Sequence, residues 1–83
     1  MITQATFHLV IASVGETRFD GAALFATLPG AAGEMTILAH HEPIVTTLAK
    51  GTITIRDASG ATMRFDIAQG VFEMSANRAV VLL

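Results

Sequence analysis

The densest cluster of chemically capable side chains in the sequence is His40-His41-Glu42, two imidazoles and a carboxylate in a row. Imidazole and carboxylate are ligand types for a borderline divalent metal. Consecutive residues of an extended segment point to opposite faces, however, so two neighbours rarely reach one ion. The helical His-Glu-x-x-His spacing is absent, and His8 is the only other histidine. Nucleophilic chemistry has less to build on: there is no Cys, and Ser13, Ser59 and Ser75 lie in no Gly-x-Ser-x-Gly context. The glycine-rich run Pro29-Gly30-Ala31-Ala32-Gly33 leads into no helix carrying a Lys, so it does not have the form of a phosphate cradle. The expectation is therefore a protein that is not an enzyme, with no catalytic residues, no cofactor and no metal. The alternative is a free-standing β-sandwich that binds a metal or small molecule through His40, His41 and Glu42.

Those residues have to be positioned by a small scaffold. At 83 residues the chain is a single domain, 1–83, and 52% hydrophobic against 14% charged residues makes it a folded one. A domain of this size buries only about 60% of the surface of its unfolded chain, and without Cys no disulfide adds to its stability. An apolar excess over what a small core holds points to a partner surface. A net charge of −2, with the basic residues scattered at Arg18, Lys50, Arg56, Arg64 and Arg78, gives no footprint for nucleic acid. No apolar run approaches the ~18 residues of a membrane span. The opening Met1-Ile2-Thr3-Gln4 lacks the basic and apolar stretches of a secretory signal, so the expected location is a cytoplasmic face.

Hydrophobic period and turn chemistry predict only strands. Phe7, Leu9 and Ile11 alternate with Thr6, His8 and Val10 in a first strand, Ala5 to Ala12. Val14-Gly15-Glu16 reads as a turn, Thr17-Phe19 as a short strand, Asp20-Gly21 as a second turn, and Ala22-Leu28 as a strand with Leu24, Ala26 and Leu28 on one side. Pro29-Gly33 reads as a loop before an extended Glu34-Leu38, and Pro43 as a strand start before the β-branched Ile44-Thr47. Ile53 and Ile55, then Met63, Phe65 and Ile67, form the apolar face of a hairpin turned at Asp57-Gly60. Ala76-Asn77 turns the chain into a last strand, Arg78-Leu83. The fold class is all-β, a flattened antiparallel β-sandwich of about ten short strands.

The stretch Pro29-Gly30-Ala31-Ala32-Gly33-Glu34-Met35-Thr36-Ile37-Leu38, then His41-Glu42-Pro43-Ile44-Val45-Thr46-Thr47-Leu48 and Gly51, resembles the signature of the epsilon subunit of F-type ATP synthase in its N-terminal β-sandwich domain. Phe7-His8-Leu9-Val10-Ile11, Phe19-Asp20-Gly21 and Gly70-Val71-Phe72-Glu73-Met74 fit the same pattern, so the likeness covers the chain. Two positions depart: Ala39-His40 stands where the family usually has Pro-Gly, and Lys50 where it commonly has Pro. The resemblance implies a non-catalytic central-stalk subunit, peripheral on the cytoplasmic face of an energy-transducing membrane. It implies contacts with the gamma subunit and with the polar loops of the membrane c-ring, the latter through Glu34 and His41. Outward apolar residues such as Val10, Phe19 and Ile44 are candidates for the gamma contact. Family members normally continue into a C-terminal helical hairpin that restrains ATP hydrolysis or binds ATP, and the expectation is that this chain stops short of it.

Overall fold

The computed structural model describes residues 4–83; of the opening Met1-Ile2-Thr3-Gln4, read as lacking a secretory signal, the first three lie outside them. Eight strands follow in order: β1 Phe7–Ser13, β2 Glu16–Gly30, β3 Gly33–Leu38, β4 Ile44–Leu48, β5 Gly51–Asp57, β6 Thr62–Ile67, β7 Gly70–Ser75 and β8 Arg78–Leu82. β2 belongs to both layers. Its first half pairs with β1, from Glu16 opposite Ser13 to Ala23 opposite Phe7. Its second half pairs with β3 on one side and β5 on the other. One layer is thus β2-β1-β8-β7-β4 and the other β3-β2-β5-β6, and a 20 Å shortest dimension is what two sheets packed about 10 Å apart require.

The eight strands are fewer than the roughly ten expected, and one merger contributes: β2 runs unbroken through Asp20-Gly21, where the sequence suggested a turn, and joins Thr17-Phe19 to Ala22-Leu28. Fifteen residues at about 3.3 Å each would span about 50 Å, more than the 40 Å long axis of the molecule. The strand therefore bends, and it does so at two bulges. Ile11 pairs with Phe19 but Ala12 with Thr17, leaving Arg18 extra, and Ala23 pairs with Asp57 but Phe25 with Arg56, leaving Leu24 extra. The second bulge switches the face parity: Ala23, Ala26 and Leu28 are buried, while Leu24, expected alongside Ala26 and Leu28, is only half-buried. The sandwich is also not wholly antiparallel, since β1 and β8 pair in parallel, Leu9 opposite Ala79. Alternation sets which face a strand buries but not which strand lies beside it.

The core is the inward set of both layers, among them Phe7, Leu9, Ile11, Phe72, Met74 and Val81 from one and Leu28, Ile37, Ile53 and Ile55 from the other, all essentially solvent-free. The turns are held by side chains as well as backbone. At the β5–β6 turn, Asp57 Oδ1 accepts from Ser59 N (2.9 Å), Ser59 Oγ (2.6 Å) and Ala61 N (3.0 Å). These bonds, that of the Ser59 hydroxyl first, hold the Asp57 carboxyl below its ordinary pKa.

The Pro29-Gly33 run is not an open loop but a two-residue hairpin. Only Ala31 and Ala32 lie in the turn, and Gly30 pairs with Gly33. A β-carbon on Gly30 would sit 2.6 Å from the Gly33 carbonyl oxygen, and one on Gly51 would sit 2.7 Å from Cβ of Pro29. Ala31 N–H donates to Thr47 O (3.0 Å) and Ala49 N–H to Pro29 O (2.8 Å), which ties the hairpin to the end of β4. Because the obstacle at Gly30 is backbone, Gly30→Ala is expected to cost about 1–3 kcal/mol by overpacking. Urea unfolding checks this, and a loss under about 0.5 kcal/mol would contradict the close-approach account.

Candidate functional site

Glu34 and His41 occupy opposite ends of β3. Glu34 is the second residue of the strand, beside the Ala31-Ala32 turn, opposite Pro29 and exposed. His41 follows the strand: its N–H donates to Leu38 O (3.3 Å) across the turn at Ala39-His40. From Glu34 to Leu38 the strand advances about 13 Å, so the structure does not bring the two residues to one point. Glu34 forms no ion pair among the described residues. His41 Nδ1–H donates to Glu42 O at 2.6 Å, since a carbonyl oxygen only accepts, so in the neutral ring Nε2 is the acceptor. A carboxylate and an imidazole lone pair are both acceptors, suited to Arg, Asn or Gln donors on a partner loop. The same bond occupies one ring nitrogen of the proposed His40-His41-Glu42 cluster. Among the described residues no group of three or more His, Asp or Glu is arranged to hold a metal ion.

The three apolar candidates separate. Phe19 lies opposite buried Ile11 and Ile44 opposite buried Met74, and cross-strand partners share a face. Both are half-buried and packed against the core, so they point inward, contrary to the outward placement expected for them. Their positions at the margins of the sheet, not their residue types, left the sequence reading open. Val10 does point outward, directly opposite Val80.

Val10 belongs to a larger surface that sequence reasoning did not assemble. On the outer side of the β1-β8-β7-β4 layer, Thr47, Val71, Leu82 and Ala12 form one cross-strand row, and Val45, Glu73, Val80 and Val10 the next. Val45, Val71 and Leu82 are 69%, 42% and 56% exposed. A third row, Ser75, Arg78 and His8, is polar, and His8 Nε2 lies 2.7 Å from Asp20 Oδ1. A mostly apolar patch, interrupted by exposed Glu73 and bordered by a polar row, is the composition of a protein interface. The outer side of the other layer is different: Thr36, Thr27, Thr54 and Arg64 make one of its rows, and Thr52 donates to Asp66 Oδ1 at 2.8 Å. An apolar spot on it is Leu38 with Phe25, and the Arg56 guanidinium stands 6.0 Å from the Phe25 ring centre. The signal for the apolar face was present in Val71, Val80 and Leu82, the outward members of two alternating strands, but the pairing of β8 with β1 was needed to join them to Val10.

Comparison with known proteins bears on this arrangement. The chain is 36% identical over 77 residues to the ATP synthase epsilon chain of Polaromonas naphthalenivorans, covering 93% of this chain and 56% of that one. It is 37% identical over 78 residues to the epsilon chain of Bordetella petrii, covering 94% and 55%. It therefore spans about half the length of the curated relatives it matches. In fold it is similar to a chain of the Euglena gracilis mitochondrial ATP synthase, solved with OSCP, F1 and the c-ring, with a TM-score of 0.87 at 22% identity over 94% of this chain and 50% of that one. A chain of the Tetrahymena thermophila mitochondrial ATP synthase central stalk and c-ring gives 0.78 at 15% identity, over 98% and 65%. With its residues 6–83 matched by the family described as ATP synthase, Delta/Epsilon chain, beta-sandwich domain, this chain belongs to that family.

Proposed function

We propose that this domain is a non-catalytic rotor module of a proton- or sodium-translocating F-type ATP synthase. It couples c-ring rotation to the catalytic head by docking on the gamma subunit and resting on the polar loops of the c-ring. The observation that carries the reading is the family match over residues 6–83, together with relatives named ATP synthase epsilon chain. The contrast between the two outer faces supports it. A coupling element must be gripped firmly on one side, and the Val10, Val80, Leu82, Val71 and Val45 face supplies desolvating contact of the kind a lasting interface needs. Gamma is the partner assigned to that face, with Val10 retained from the sequence reading, while Phe19 and Ile44, packed inward against the core, are not part of the contact surface.

Glu34 and His41 are assigned to the c-ring, each as an acceptor of hydrogen bonds from the ring's polar loops. Such contacts fix orientation and partner choice more than affinity. The domain then sits on the cytoplasmic face of the membrane through the complex. In the assembled synthase, Glu34→Cys or His41→Cys is expected to crosslink to a Cys placed in the c-ring polar loop. Absence of a crosslink from both positions, in complexes that assemble fully, would overturn the assignment.

A further inference from the structure

We propose that Asn77, in the β7–β8 turn, is the positioning residue that sets the loop carrying His41. The inference rests on the reading of His41 as a docking residue, but its geometry stands apart from that reading.

The β3–β4 connection has to be held in an unfavourable shape. His40 has φ of 62°, in the left-handed region, where a side chain with a β-carbon costs about 1–2 kcal/mol. The local bonds do not account for this by themselves, because the His41 N–H to Leu38 O contact is long at 3.3 Å. A short bond from outside the loop reaches it from 37 residues away: His40 N–H donates to Asn77 Oδ1 at 2.7 Å. The other end of the same amide is also used, Nδ2 donating to Thr6 O at 2.9 Å, and the Asn77 carbonyl accepts from His8 N–H at 3.2 Å.

The orientation of the amide follows from its partners. Turned over, it would set Nδ2 against the His40 N–H and Oδ1 against the Thr6 carbonyl, two like-with-like contacts. Asn77 is itself held in a defined backbone state: Ala76 and Asn77 have φ of 49° and 61°, a two-residue turn with positive φ at both positions, a region in which Asn is enriched among non-glycine residues. A tight hairpin thus aims a two-ended side chain between the start of β1 and the His40 turn. The residue next to His40, whose Nε2 is left as an acceptor, is presented by a loop fixed before any partner arrives. Preorganisation of that kind removes ordering cost at docking.

Two substitutions separate the latch from the turn. Asn77→Gly keeps the positive φ and deletes both side-chain bonds, whereas Asn77→Asp keeps the acceptor facing His40 and loses the donor to Thr6. In the full 83-residue chain, amide hydrogen exchange at His40 is expected to speed up about tenfold in Asn77→Gly, the population change of one lost hydrogen bond. In Asn77→Asp, which keeps the acceptor for His40 but sets a second carboxylate oxygen against Thr6 O, the acceleration should be smaller than in Asn77→Gly. Amides of the β5 core strand should not change in either. Unchanged exchange at His40 in Asn77→Gly, or an equal acceleration at His40 and in β5, would overturn the proposal, the second outcome because it marks general destabilisation. In the assembled synthase, Asn77→Gly is expected to lower the His41→Cys crosslink several-fold and leave the Glu34→Cys crosslink intact, since Glu34 sits at the far end of β3. Equal loss of both would count against Asn77 as a positioning residue. Absence of both with Asn77 intact would sink the docking reading and leave the exchange result to decide the latch.

Discussion

Phe72→Ala is expected to lower the unfolding free energy by about 3–5 kcal/mol, measured as a fall in the urea midpoint with little change in slope. Phe72 is fully buried in the middle of β7, opposite Thr46 of β4 and Val81 of β8, so strands close over it from both sides. Truncation removes the aromatic ring from a layer whose neighbours are bonded to the sheet and cannot collapse into the space. Domains of about this length have total stabilities of roughly 4–12 kcal/mol at 0.05–0.15 kcal/mol per residue. The variant is thus expected to be largely or marginally unfolded, with nothing covalent to limit the loss. Leu82 serves as the control. It points outward from β8 at 56% exposure, and Leu82→Ala should change stability by no more than about 0.5 kcal/mol. A loss at Leu82 comparable to that at Phe72 would mean that the outward apolar face belongs to the core.

The strands whose residues alternate cleanly were legible without any structure. Phe7, Leu9 and Ile11 in β1 and Ile53 and Ile55 in β5 are buried as their period demands, and the turn at Asp57 is where its residue types place it. What escaped was set by contacts distant in sequence. Asp20-Gly21 has turn chemistry, yet β1 pairs across it at Val10 and Leu9, and the ladder bonds outweigh the local preference. Leu24 carries the right residue type for a buried position, but the bulge there shifts its parity relative to Ala26. Phe19 and Ile44 could not be assigned a face because each stands near a sheet margin, where an apolar side chain serves either side.

The proposed docking residues divide in the same way. Glu34 and His41 are suggested by the family resemblance and Val10 by its outward apolar position, and the structure sets Glu34 and His41 at the two ends of β3 and Val10 on the outer face. Asn77 could not be found, since its partners Thr6 and His40 are 71 and 37 residues away along the chain. The signature itself gains a physical content from the structure. Pro29, Gly30 and Gly51 occur together because the Pro29 ring lies where a Gly51 β-carbon would be, and the Gly33 carbonyl where a Gly30 β-carbon would be. They are the packing of a hairpin whose far residue, Glu34, is thereby held at a fixed edge.

The second large effect concerns the function itself. In the proposed role the domain needs no reactive group: making rotation of the ring and of the stalk one motion is enough, and its presence or absence would be felt as slip between ion flow and ATP turnover. The 80 described residues contain strands and turns and no helix, so they hold no helical hairpin with which to restrain hydrolysis. The most direct measurement is therefore reconstitution of an epsilon-depleted ATP synthase in vesicles with this 83-residue domain, following ATP-driven ion pumping and ATP hydrolysis together. Pumping per ATP hydrolysed is predicted to recover towards that of the complete enzyme while the hydrolysis rate is not suppressed. Saturating domain that binds the complex yet leaves pumping uncoupled, or that suppresses hydrolysis in place of restoring pumping, would contradict the account.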